Sequence, residues 1–148
     1  MTELWGPSFW KTLHFITFTY SDFPNKDDKK LMYDLFDNIK ERIPCFKCKR
    51  AFKQFLIHVP IDEFLYNKNS LIYWLYIIHN TVNFKLNKPY YTIENLFETY
   101  NVFGMDYAEI RVRILDMLRY KPMIIQYIKE LEKLPDDENP LKIGAKEA

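Results

Sequence analysis

Glycine is nearly missing from this chain: among 148 residues there are only Gly6, Gly104 and Gly144. No two lie close together, so neither a GxGxxG turn nor a phosphate-cradling P-loop can be built. A Rossmann-type nucleotide site is thereby excluded. Cysteine is almost as scarce. Cys45 and Cys48 are too few for a disulfide framework and too few for a self-contained zinc site, which takes four ligands. Long apolar runs are missing as well. The longest, residues 71–78, is far short of the roughly 18 residues a membrane span needs. The opening MTELWGPSFW has neither the basic and apolar regions of a secretory leader nor the Arg-rich character of a transit peptide, so neither is expected. Charge of one sign is absent too. Lys+Arg 21 against Asp+Glu 20 leave a formal net charge of +1, which gives no electrostatic case for nucleic acid or an anionic membrane as a partner.

Aromatic residues are abundant: 12 Phe, 11 Tyr and 3 Trp. That is more than a small core needs, and it suggests that something flat is bound. A hydrophobic content of 48% argues against disorder, and a chain of this length makes about one domain.

The apolar spacing is helical throughout, and no strand-like alternation persists. Pro7 fits the first turn of a helix, and Trp10, Leu13, His14, Thr17 and Phe18 then repeat at three and four to about Tyr20. A second helix is predicted from near Asp27, with Leu31, Leu35, Ile39 and Ile43 facing inward, until Pro44 ends it. A third starts at Cys45, carries Ala51, Phe52, Phe55 and Leu56, and closes at Pro60. Residues 61–69 read as a loop. Ser70 is the expected cap of a fourth helix running to about Leu86, stopped by Asn87-Lys88-Pro89. Thr92 caps a short fifth helix over 93–100, with Gly104 as the break after it. Residues 106–119 and 122–134 read as a helical extension, and 135–148 as a flexible tail. The domain division is therefore 1–104, 105–134 and 135–148.

The cysteines form one motif, Pro44-Cys45-Phe46-Lys47-Cys48. At a helix N-terminus the first cysteine meets free N–H groups and the positive end of the helix dipole, both favouring thiolate. Lys47, Lys49 and Arg50 add positive charge. Cys45 is therefore read as a reactive thiol, and one helical turn brings Cys48 within disulfide reach. Two reduced, packed cysteines are the plainer alternative. A thioredoxin fold is disfavoured because no βαβ pattern surrounds the motif. A zinc reading would require His14, His58 or His79 as further ligands.

A second signal is polar. In the fourth helix His79, Asn80 and Asn83 form a stripe among Leu71, Ile72, Leu75, Ile78, Val82 and Leu86. Trp10 and His14 share a face of the first helix. Burying a His and two Asn without partners would cost several kcal/mol, so partners must exist. A flat polar ligand between the first and fourth helices would supply them. A solvated polar edge is the alternative.

Three stretches together resemble the Erv/ALR family of FAD-linked sulfhydryl oxidases. Trp5-Gly6-Pro7-Ser8-Phe9-Trp10-Lys11-Thr12-Leu13-His14 is similar to its WGxxxWxxLH opening, and Pro44-Cys45-Phe46-Lys47-Cys48 to its PCxxC. Residues 74–89 are similar to its W…HNxVNxxLxKP. The resemblance spans residues 5–89 with the motifs in family order. It implies an all-α four-helix bundle holding FAD, with a short fifth helix, and oxidation of protein thiols to disulfides with electrons passed to O2 to give H2O2. It further implies cofactor contacts from Trp5, Gly6, Trp10 and His14, and from Trp74, His79, Asn80, Val82, Asn83, Leu86 and Lys88. Tyr91 and Tyr100 are weaker additions. Cys48 would lie over the isoalloxazine, and Cys45 would be the sulfur that substrate attacks.

Many family members carry a second, shuttle cysteine pair or a structural disulfide; this chain has neither. It is most similar in this to the minimal members of large DNA viruses. Substrate must then reach Cys45 directly, or a separate CxxC protein must relay. The resemblance also implies a homodimer joined through the first two helices. Its location would be host cytoplasm and virion, or alternatively the mitochondrial intermembrane space. Residues 105–148 lie outside the resemblance and read as a packed extension or a partner surface. A helical binding module without turnover, or one stabilised by zinc, is the competing reading.

Overall fold

Helix α4 (Lys68–Lys85) is the centre of the molecule. Its run from Leu71 to Ile78 is buried on every side, as expected for a helix apolar all round. The other helices pack around it. They are α1 (Thr2–Phe18), α2 (Lys26–Ile39) and α3 (Phe46–His58), with α1 lying along α4. The computed structural model describes residues 2–89, 91–92, 95–96, 98, 129–130 and 132–135, with side chains from residue 6 onward. The expected helices over 106–119 and 122–134 lie almost wholly outside the described residues, as does the tail. Within the extension, residues 129–130 and 132 are helical, and Leu134 packs against the core. Among the described residues there is no strand, and no helix is long and apolar enough to cross a membrane.

The core joins Leu13, Phe18 and Tyr20 to Phe36, Phe52 and Phe55, and to the buried run of α4. Two of its large amphipathic side chains hydrogen-bond to carbonyls. Trp74 Nε1–H donates to the Val59 carbonyl at 2.8 Å, and the Tyr20 hydroxyl donates to the Leu65 carbonyl at 2.7 Å.

Several element boundaries differ from the sequence reading. Helix α1 begins before Pro7, which sits inside it. Helix α2 ends at Ile39, and Lys40–Arg42 continue as a 3-10 turn. Its inward face is Phe36 and Ile43 with Met32 and Ile39 partly buried, whereas Leu31 and Leu35 are exposed. Two apolar stripes compete on this helix, and the one carrying the large Phe36 ring faces the core. Residues 61–69 are not all loop, because Ile61–Phe64 make a 3-10 turn. The cap of α4 is Asn67. Its side chain accepts from Ser70 N–H at 2.8 Å, and the Ser70 hydroxyl accepts from Asn67 N–H at 3.2 Å. This reciprocal box satisfies two otherwise orphaned donors and displaces Ser70 from the capping position.

The end of α4 matters most for the site. Asn87 adopts φ 56°, a left-handed conformation that Asn tolerates better than most residues. Lys88 N–H then donates to the Asn83 carbonyl at 2.8 Å, and Asn87 N–H to the Phe84 carbonyl at 3.2 Å. This paired closure of a helix C-terminus turns the chain back along α4. Thr92 and Asn95 next exchange side-chain-to-backbone hydrogen bonds at 3.0 and 3.2 Å. That fits a short helix starting after Thr92, in which Leu96 is fully buried.

Candidate active site

Cys45 is the N-cap of α3, in extended conformation, and its Sγ accepts from Cys48 N–H at 3.3 Å. Both cysteines are free thiols one helical turn apart. They are not equivalent. Burial pushes the Cys45 thiol up, but hydrogen bonds from Cys48 and from the backbone N–H groups of Cys48 and Lys47, with the charge of Lys85, outweigh it. The net effect holds Cys45 below its ordinary value. Burial, donation to Cys45 and repulsion by a Cys45 thiolate raise Cys48 to about 11, against the pull of Lys85. The reduced pair is therefore ordered, with Cys45 giving up its proton before Cys48.

The cation that reaches both sulfurs was not evident in the sequence motif. Lys49 is drawn off by Glu41, at 3.3 Å. Lys85 comes from the far end of α4, half-buried, its own ammonium pushed down by burial and sustained by the two sulfurs. A sequence signal existed: Lys85 lies three residues after Val82 and shares its face.

Cys48 forms part of the wall of a cavity of about 640 Å³ between α1, α3 and α4; Cys45 does not. Among the anticipated residues, Gly6, Trp10, His79, Val82, Asn83, Leu86, Lys88 and Tyr91 line it. Phe9, Phe52 and Phe55 also line it; the sequence reading gave Phe52 and Phe55 only as the apolar positions of the third helix and assigned Phe9 no role. The aromatic part is a stack. Trp10 and His79 lie with ring centroids 4.0 Å apart and planes 4° apart, and Tyr91 lies 5.1 Å beyond His79.

Three anticipated residues are placed elsewhere. Trp74 is sealed in the core, edge-on to Phe36 at 5.0 Å, with its N–H committed to Val59. His14 is buried behind the wall, its Nε2 2.8 Å from Nδ1 of His79. Asn80 is 2% exposed and holds the backbone of Tyr91. Trp5, whose side chain is not described, and Tyr100 lie outside the described side chains. Burial and its neighbour His79 hold His14 well below its ordinary value, and burial with Lys88 lowers His79 to about 4. Both rings are therefore neutral near pH 7. Among the described residues, no three metal-ligating side chains converge, so the zinc alternative finds no site there.

Among the described residues the wall carries Lys11, Lys85 and Lys88 and no carboxylate. An anionic ligand with flat aromatic parts suits such a lining, and the volume falls within the roughly 300–1,000 Å³ of cofactor pockets. FAD, a diphosphate with two ring systems, fits on both counts.

A helical bundle with one sulfur of a dithiol on the wall of an aromatic, lysine-bearing cavity defines a cofactor-linked thiol redox protein. Residues 7–101 match the model of the Erv1 / Alr family, and the chain belongs to that family. Similar proteins include one of Invertebrate iridescent virus 3, 29% identical over 100 residues and covering 68% of each chain. The FAD-linked sulfhydryl oxidase of African swine fever virus (isolate Pig/Kenya/KEN-50/1950) is 36% identical over 84 residues, 57% of this chain and 69% of the viral one. The FAD-linked sulfhydryl oxidase of Arabidopsis thaliana is 29% identical over 91 residues, 62% of this chain and 47% of the plant protein.

Proposed function

We infer that this protein is an FAD-dependent thiol oxidase that makes disulfides in protein substrates through Cys45 and Cys48. The observation that carries this is the division of the pair: Cys48 lies on the cavity wall and Cys45 lies outside it. Gly6, Trp10, His79, Val82, Asn83, Leu86, Lys88 and Tyr91 would hold FAD, with Lys11 and Lys85 adding positive charge. Bound there, FAD supplies the two-electron acceptor that returns the dithiol to a disulfide, with O2 as final acceptor and H2O2 as product.

The thiol chemistry follows from the residues themselves. In the oxidised protein a substrate thiolate attacks Cys45 Sγ. The new bond joins substrate sulfur to Cys45, the Cys45–Cys48 bond breaks, and its electron pair leaves on Cys48. Burial, the largest cause of the high Cys48 value, persists in the mixed disulfide, but donation to Cys45 and the Cys45 charge vanish once Cys45 is covalently capped, while Lys85 remains to favour the Cys48 thiolate. A second substrate thiolate then attacks the substrate sulfur of the mixed disulfide and expels Cys45, whose own value is low. The substrate leaves oxidised, and the pair is left reduced.

Homodimer formation through α1 and α2 belongs to the same proposal. It is supported by the outward apolar stripe of α2, where Leu31 is 70% exposed. Direct attack of substrate at Cys45, without a shuttle pair in this chain, and residence in host cytoplasm and virion, in keeping with the viral relatives, complete it.

The purified protein is expected to show flavin absorption in the visible and to consume oxygen when dithiothreitol is added. Cys48→Ser and Cys45→Ser should each keep the colour and lose the oxygen uptake. A colourless protein that cannot be reconstituted with FAD overturns the proposal.

A further inference from the structure

Asn80 sits on the polar stripe of α4, yet its amide does not line the cavity. Its Oδ1 accepts from Tyr91 N–H at 2.8 Å, and its Nδ2 donates to the Tyr91 carbonyl at 2.9 Å. Both ends of the amide thus close on the backbone of one residue, 11 positions further along the chain. Tyr91 follows the left-handed turn at Asn87 and precedes the cap at Thr92, so the connection is fixed at both ends. Asn80 holds its middle in register with α4 through this pair of hydrogen bonds. The Tyr91 ring in turn lines the cavity and lies against His79.

We propose that Asn80 is a positioning residue, which does not hold FAD itself but pins the backbone of Tyr91 and thereby sets the ring that closes the cavity beside His79. The proposal rests on the FAD reading above. A short polar side chain is needed for it. Asn alone offers an acceptor and a donor on one planar group of this reach. Asp retains the acceptor for Tyr91 N–H but repels the carbonyl, and Ala retains neither.

The test is a double-mutant cycle on the FAD-loaded, full-length protein, with the FAD dissociation constant and Tyr91 amide hydrogen exchange as readouts. Asn80→Ala should weaken FAD binding by about tenfold, from two hydrogen bonds of ordinary net worth, and should remove the protection of the Tyr91 amide. Asn80→Asp should keep that protection and weaken binding less. Tyr91→Ala should weaken FAD binding by a similar factor. The combination of Asn80→Ala with Tyr91→Ala should be no worse than either alone, because one residue acts through the other. Additive losses would assign FAD contact to Asn80 itself and overturn the proposal. So would unchanged affinity in Asn80→Ala with a freely exchanging Tyr91 amide. If Asn80→Ala does not fold, the pairing of Asn80→Asp with Tyr91→Ala gives the same decision. Wild-type protein that binds no FAD overturns the functional reading, and this proposal with it, whereas additive variants on a flavin-binding wild type overturn the proposal alone.

Discussion

Lys85 acts on both thiols in the same direction, behind the burial and hydrogen bonds that set them apart. Its ammonium lowers both cysteines, and it is the cation common to both. Lys85→Met should therefore raise both thiols, and the thiolate fraction of Cys45 near neutral pH should fall. Alkylation of the reduced protein by iodoacetamide at pH 7 should slow several-fold, because the thiolate is the reacting species. Lys85→Arg should retain most of the rate. An unchanged rate in Lys85→Met would leave the Cys48 thiol and the helix N-terminus as the sources of Cys45 activation. At this scale the sequence was uneven as a guide. The motif Cys45-Phe46-Lys47-Cys48 declared the dithiol and its helix start. It also pointed to neighbours in sequence for the charge, whereas the effective charge comes from another helix. Spacing along one helix is legible. The meeting of α3 with the end of α4 depends on tertiary packing that spacing does not encode.

Helix α4 carries both the core and the site, and its two halves do different work. From Leu71 to Ile78 it is sealed, and from His79 onward it faces the cavity. Trp74 belongs to the first half. Trp74→Phe should lose the hydrogen bond to Val59, leave that carbonyl unpaired and open a void, at a cost of about 2–4 kcal/mol. Thermal unfolding of the FAD-free protein would show the loss, while the FAD dissociation constant should hardly move. A large loss of FAD affinity without loss of stability would return Trp74 to the cofactor site. Of the stripe His79, Asn80 and Asn83, three-four spacing made the shared face of His79 and Asn83 readable, whereas Asn80 turns to Tyr91 and Val82 and Leu86 were implied as cavity residues by the resemblance. Trp74 was joined to it by resemblance, and spacing alone gave no contrary signal in a run apolar on all sides. The register of α2 failed for a related reason. Leu31 and Leu35 repeat as regularly as Met32, Phe36, Ile39 and Ile43, so periodicity could not choose between the stripes. The expected cap was Ser70 alone, and the reciprocal box that makes Asn67 the cap with Ser70 as its partner is visible only once the helix start is known.

Taken as a whole, the molecule places its least soluble polar chemistry at one point: two neutral imidazoles, His14 and His79, joined at 2.8 Å behind the cavity wall. The bond between them needs one donor and one acceptor, which a pair of neutral rings supplies. Burial lowers both, each aided by a neighbouring group, His79 for His14 and Lys88 for His79, and His79 falls to about 4 from 6.5. Between those limits the unfolded chain binds protons that the folded chain refuses. Stability must then rise with pH through the window and be lost as pH falls through it. For His79 alone the loss approaches about 3 kcal/mol by the acid end of the window, and His14 adds to it in the same direction. The surface carboxylate whose value is also shifted, Glu41, is half-exposed between Lys49 and Lys53 and contributes little. Urea unfolding of the FAD-free protein from pH 7 to pH 4.5 should thus show a steady fall in unfolding free energy. The double variant His14→Gln with His79→Gln should be weaker at pH 7 and much flatter across the range, having no imidazole left to titrate in the core. An equally steep curve in that variant would place the acid sensitivity in carboxylates and not in the paired rings.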